Sequence, residues 1–124
     1  KEYDSAEKNY KQALEAYEKL IEVEERDKQL WIAVTYHQLG YLAQDLREYE
    51  QARDYYQNAL EIKIEYGDKY FQASTLHCLG TLAQAEENYS EARNYLQQAL
   101  EIYVEYKDEY WAGVTREILE DLPE

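Results

Sequence analysis

His37 and His77 are the residues whose type and spacing most invite chemistry. They stand forty residues apart in matching surroundings, Thr35-Tyr36-His37-Gln38-Leu39-Gly40 and Thr75-Leu76-His77-Cys78-Leu79-Gly80. Two imidazoles brought to one surface could hold a metal ion, or change charge near the ordinary histidine pKa of about 6.5. A metal would want further ligands, and Asp45, Glu117 and Cys78 are the candidates. The competing reading is that both histidines descend from one duplicated segment and line a polar surface. That second reading is the expectation, and no metal site is assigned. Cys78 directly follows His77, so on a helix their side chains point about 100° apart and do not form a nucleophile–base pair. Acidic residues such as Glu22, Glu24 and Glu25 fall where solvated helix faces and turns are expected. There is no Gly-rich phosphate loop. The expectation is a chain with no catalytic residues and no cofactor.

The elements that place these residues are set by an internal repeat. Ala33-Val34-Thr35-Tyr36-His37-Gln38-Leu39-Gly40-Tyr41-Leu42-Ala43-Gln44 recurs forty residues later as Ala73-Ser74-Thr75-Leu76-His77-Cys78-Leu79-Gly80-Thr81-Leu82-Ala83-Gln84. Tyr49-x2-Ala52-Arg53-x-Tyr55-x-Gln57-x-Ala59-Leu60-Glu61-Ile62 likewise recurs from Tyr89 to Ile102. About half of the aligned pairs are identical, far beyond chance. Each unit reads as two helices. Trp31, Val34, Leu39, Leu42, Ala43 and Leu46 are spaced as one helical face, and so are Tyr49, Ala52, Tyr56, Ala59, Leu60 and Ile62. Asp45-Leu46-Arg47-Glu48 allows only a tight antiparallel turn. Asn88 is placed to cap the following helix, and Gly67 lies just past a helix end.

Both ends read as half-units. Tyr3-x2-Ala6-x3-Tyr10-x2-Ala13-Leu14 matches Tyr49-x2-Ala52-x3-Tyr56-x2-Ala59-Leu60, so residues 1–26 are an unpaired second-type helix. Residues 27–66 and 67–106 are the two full repeats. Residues 107–124 are a first-type capping helix, in which Arg116 and Glu120 replace the apolar or small residues of the repeats and Pro123 ends the run. The fold class expected is all-α: about six helices in a right-handed array of antiparallel pairs, an α-solenoid. Tyr55, Tyr56, Tyr95, Tyr103 and Tyr106 are expected to supply packing bulk between layers.

Composition narrows the partners. The chain has 124 residues and a net charge of −14, which argues against nucleic acid and anionic membranes and favours a neutral or basic ligand. One cysteine excludes an internal disulfide and fits a reducing, cytoplasmic compartment. No apolar run approaches the ~20 residues of a membrane span. The absence of any Met reads as a processed chain or a piece of a longer one.

Tyr36-x2-Leu39-Gly40-x2-Ala43, Ala52-x3-Tyr56 and Ala59, with Leu76-x2-Leu79-Gly80-x2-Ala83, Ala92-x3-Leu96 and Ala99, resemble the tetratricopeptide repeat. The period of forty exceeds the usual 34, and Ile64 and Val104 lie near the place of the family's proline. The pattern is similar to the long-repeat arrays of kinesin light chains and bacterial signalling proteins. The resemblance implies a protein-interaction scaffold whose first-type helices line a concave groove for a peptide or partner helix. Mapped onto this sequence, the groove would be lined by Val34, His37, Tyr41, Gln44 and Asp45, by Ser74, His77, Thr81 and Gln84, and by Val114 and Glu117. Members that clamp a terminal carboxylate carry Lys and Asn there, and this chain does not. The alternatives are a sensor segment of a larger, nucleotide-driven signalling protein, or a self-associating module. For the latter, Tyr3, Tyr10, Leu14, Tyr17, Leu20, Ile21 and Val23 of the first helix would form a homodimer contact.

Overall fold

The seam of small residues dictates the architecture. In a computed structural model, which describes residues 2–19, 25–67 and 69–123, the chain forms six helices and no strand among the described residues. They are α1 (Glu2–Lys19), α2 (Glu25–Asp45), α3 (Tyr49–Tyr66), α4 (Lys69–Ala85), α5 (Tyr89–Glu105) and α6 (Glu109–Asp121). The chain is all-α, as the periodicity predicts. It divides into two compact units, residues 1–67 and 68–124.

In the first unit α1 packs on α2 and α2 on α3. Leu39, Gly40 and Ala43 of α2 and Ala52, Tyr56 and Ala59 of α3 are all buried, and Gly40 lies against the Tyr56 ring. A Cβ at Gly40 would lie 2.6 Å from the Tyr56 ring, so only glycine allows this approach. The buried residues of α2 are thus Ile32, Ala33, Thr35, Leu39, Gly40 and Ala43. Trp31, Val34 and Leu46, which the apolar spacing placed on that face, are exposed instead. The small-residue seam, not the bulkiest residues, marks the packed side. Tyr17 of α1 lies against Trp31 with ring centroids 6.1 Å apart, and Arg26 Nε donates to the Tyr66 carbonyl at 2.8 Å. Leu20, Ile21 and Val23, with Glu22 and Glu24, lie outside the described residues.

In the second unit α4 packs on α5 and α5 on α6. Gly80 repeats the role of Gly40: a Cβ there would sit 2.6 Å from Leu96 Cγ. Ala83, Ala92, Leu96 and Leu122 form a buried cluster, with Tyr89, Ile118 and Leu119 packed against it. Each large apolar side chain so buried is worth roughly 1.5–3 kcal/mol. Arg93 donates to the Pro123 carbonyl at 2.9 Å and ties α5 to the chain beyond α6. Arg116 and Glu120 are exposed. Of the tyrosines expected to pack, Tyr56 and Tyr103 are buried, Tyr55 and Tyr95 half-buried, and Tyr106, which caps the C-terminus of α5, is exposed.

Three turns share one backbone device. After α2, the Glu48 N–H donates to the Ala43 carbonyl and the Arg47 N–H to the Gln44 carbonyl; Asn88 and Glu87 repeat this after α4, and Asp108 and Lys107 after α5. These are Schellman turns, which need one residue in the left-handed region. Arg47, Glu87 and Lys107 take it, with φ of 62°, 62° and 59°. Asn88 Oδ1 then accepts the Glu91 N–H, as a capping asparagine should. Asp108 Oδ1 does the same for Trp111 at the start of α6.

Candidate functional surface

The face expected to bind a partner lies in two parts, one on each unit. On α2, residues 29–44 carry no formal charge in a chain that is 32% charged. Along it Val34 (38%) and Tyr41 (59%) stand exposed, and so does Asp45 at the end. Their spacing of seven and four residues keeps them on one side of the helix. Gln44 is half-buried, and its Oε1 accepts the Tyr56 hydroxyl at 2.9 Å. His37 is also half-buried, with its ring edge-on to Tyr56 at 5.6 Å. Burial, helped by the Lys63 ammonium, pushes the His37 pKa down to about 4.

On α4, residues 70–85 are again free of formal charge. Ser74 is exposed, while His77, Thr81 and Gln84 are half-buried. His77 Nδ1 lies 3.2 Å from the hydroxyl of buried Thr115, and its ring meets Trp111 edge-on at 5.8 Å. This joins α4 to α6, which adds half-buried Val114 and exposed Glu117. Burial also lowers the His77 pKa. Thr81 Oγ1 donates to the Cys78 carbonyl at 3.0 Å.

Both histidines therefore sit in packing contacts, each with an aromatic ring of a neighbouring helix, and both are neutral at pH 7. No group of three or more His, Cys, Asp or Glu that could hold a metal ion occurs among the described residues. Cys78 is half-buried, and the His77 ring beside it in sequence is engaged with α6. An open hollow of about 420 Å³ at the start of α3 is lined by Glu48, Tyr49, Glu50, Gln51 and Asp54. It holds carboxylates and an amide but no nucleophile–base arrangement. No helix among the described residues is long and apolar enough to cross a membrane.

Sequence reasoning missed one set of surface residues. Trp31, Phe71 and Trp111 recur at forty-residue steps, at or near the start of each first-type helix, and all three are exposed (56%, 44% and 42%). The recurrence was the available signal. It was obscured because aromatic residues at helical spacing read as core. Tyr110, at 71%, is the most exposed large apolar residue described.

Comparison with known proteins agrees with this geometry. No curated protein matches the chain. The tetratricopeptide repeat family model matches residues 31–105, which takes in both turns of the repeat and both glycine seams. The chain belongs to the tetratricopeptide repeat family, whose repeats generally mediate protein–protein interaction.

Proposed function

We propose that this chain is a non-catalytic scaffold that takes a peptide or partner helix on its exposed helix faces, that of α2 in the first unit and those of α4 and α6 in the second. The observation that carries the reading is the pairing of exposed Val34 and Tyr41 with a stretch of α2 that bears no charge. A soluble helix normally surrounds such residues with charged ones. Exposed aromatics on a rigid helix are the usual anchors of peptide recognition. The net charge of −14 favours a neutral or basic partner and speaks against nucleic acid or an anionic membrane. Val34, Tyr41, Asp45, Ser74 and Glu117 would make the direct contacts. His37 and Gln44 in the first unit, and His77, Thr81, Gln84 and Val114 in the second, would each form a half-buried floor. A single cysteine suits a reducing, cytoplasmic setting.

A photo-crosslinking residue at position 41 or 74, compared with one at position 101 on the exposed side of α5, tests this directly. Defined protein adducts at 41 and 74, with the adduct at 41 lost on Val34→Ser, support the reading. Adducts that are equal at all three positions overturn it.

Self-association is a second reading, favoured by one contrast. Ala6, Tyr10 and Ala13 of α1 are only half-buried, whereas their counterparts Ala52, Tyr56 and Ala59 are fully buried against α2. Light scattering should then show mass rising with concentration, and a strict monomer at millimolar concentration would remove this reading.

A further inference from the structure

Five aromatic rings gather where α4 begins, α5 ends and α6 begins. Tyr70 lies 5.5 Å from Tyr106 and 6.2 Å from Tyr103; Tyr103 stacks on Trp111 at 6.4 Å, and Tyr110 stands edge-on to Trp111 at 5.2 Å. Tyr103 is buried and forms the floor, while the other four rings remain exposed. Rings gathered only for packing would be covered, and an exposed aromatic patch of this kind marks an interaction site.

The rim is acidic. Asp108 accepts the Tyr70 hydroxyl through one oxygen and the backbone N–H of Trp111 through the other. Glu105 pairs with exposed Lys69 at 3.2 Å, and Glu109 is exposed beside Tyr110 in sequence. Residues 68–124 carry twelve acidic side chains against four basic ones. Lys69 shows that the rim already accepts a cation, through an exposed pair too weak to hold the place against a better-fitting one.

We propose that Tyr70, Tyr103, Tyr106, Tyr110 and Trp111 form a docking site for the guanidinium group of an arginine on a partner protein. A guanidinium is planar and weakly hydrated, so it stacks on Tyr and Trp faces where an ammonium would stay in water. The negative quadrupole faces of the rings and the carboxylates beyond them attract the same charge. The site goes beyond the helix-face reading and uses none of the residues assigned there, so either can fail while the other stands.

The test uses the full chain carrying Trp31→Phe, which leaves Trp111 as the sole tryptophan reporter. It is titrated at low salt with a hexa-arginine peptide and with its neutral citrulline analogue. The expected result is a saturable change in Trp111 fluorescence with the arginine peptide and none with citrulline. The Tyr106→Leu, Tyr110→Leu double variant keeps every charge, and it should bind about five-fold or more weakly, the value of two partly exposed cation–π contacts. Both tyrosines are exposed, so circular dichroism should be unchanged. Glu109→Gln, which leaves the rings intact, should also weaken binding. Equal binding by the double variant would make the attraction simple charge and overturn the site, as would no fluorescence change up to millimolar peptide.

Discussion

Adding one methyl group at Gly80 should destabilise the protein, although the same change in an open helix would stabilise it. In an exposed helix, Gly→Ala gains about 1 kcal/mol from backbone entropy. At Gly80 the new Cβ would lie 2.6 Å from Leu96 Cγ, 2.8 Å from its Cδ2 and 3.3 Å from its backbone nitrogen. Cγ is close to the main chain and Leu96 is fully buried, so α5 itself must move. At Gly40 the obstacle is the Tyr56 ring near its root, with Cγ at 3.1 Å, and the Tyr56 hydroxyl is anchored on Gln44. Neither neighbour is the loose end of a flexible chain. Overpacking of this kind costs roughly 1–3 kcal/mol and more where backbone must shift, which exceeds the entropic gain. We expect Gly40→Ala and Gly80→Ala each to lose about 1–2 kcal/mol net, or roughly 4–10 °C in Tm. Gly113 supplies the control, since a Cβ there meets nothing within 4 Å and Gly113→Ala should raise Tm by a few degrees. Urea and thermal unfolding by circular dichroism measure all three. The Gly80→Ala, Leu96→Ala pair should be less destabilising than the sum of its single changes, because the second relieves the clash made by the first. If Gly80→Ala and Gly40→Ala match Gly113→Ala in sign, the seam is not close-packed and the account of the helix pairs fails.

Removing the caps tests the turns. Asn88→Ala and Asp108→Ala should each cost about 1 kcal/mol in urea unfolding, with Asp108→Ala the larger because Asp108 also accepts the Tyr70 hydroxyl. Arg47→Gly, Glu87→Gly and Lys107→Gly relieve left-handed residues and should each raise Tm, by up to about 1 kcal/mol equivalent; a fall in all three would mean those side chains contribute more than the strain. His37 makes stability depend on pH. Its folded-state pKa of about 4 lies below the ordinary 6.5, so its contribution is complete above pH 6.5 and is lost as pH falls towards 4, because the unfolded chain binds the proton first. The loss is at most about 3 kcal/mol, and His37→Gln should show a shallower decline between pH 7 and 4.5; an equal decline would place the ring in water.

Much of the fold was legible because the seam repeats. Leu39/Leu79, Gly40/Gly80, Ala43/Ala83, Ala52/Ala92 and Ala59/Ala99 are identical across the forty-residue step, and every one is buried. Close helix approach leaves no room for other residues there, so packing wrote itself into the sequence. The turns were less legible. A left-handed residue is usually announced by glycine, but here Arg47, Glu87 and Lys107 hold those places, while Gly67 closes α3 in an extended conformation at φ −100°. The Schellman bonds hold all three turns without glycine's help, and the Asn88 and Asp108 caps reinforce the last two. Exposed aromatics were the least legible. Trp31 has the residue type and spacing of a core position, and only the direction of the glycine seam shows that it points elsewhere.

The same comparison between repeats bears on which residues recognise a partner. His37/His77 and Gln44/Gln84 are identical across the step, which first made the histidines look functional. Gln44 holds the Tyr56 hydroxyl, His37 packs on that same ring, and His77 meets Thr115 and Trp111. Contacts inside each unit account for His37, His77 and Gln44. The exposed positions behave differently. Val34 becomes Ser74, Tyr41 becomes Thr81, and Trp31 becomes Phe71. A surface residue outside the close-packed seam is freer to change between copies, and recognition of an irregular partner is served when each copy presents something different. Repetition in this chain therefore marks structure, and the departures from it on the uncharged faces are where binding specificity should be sought.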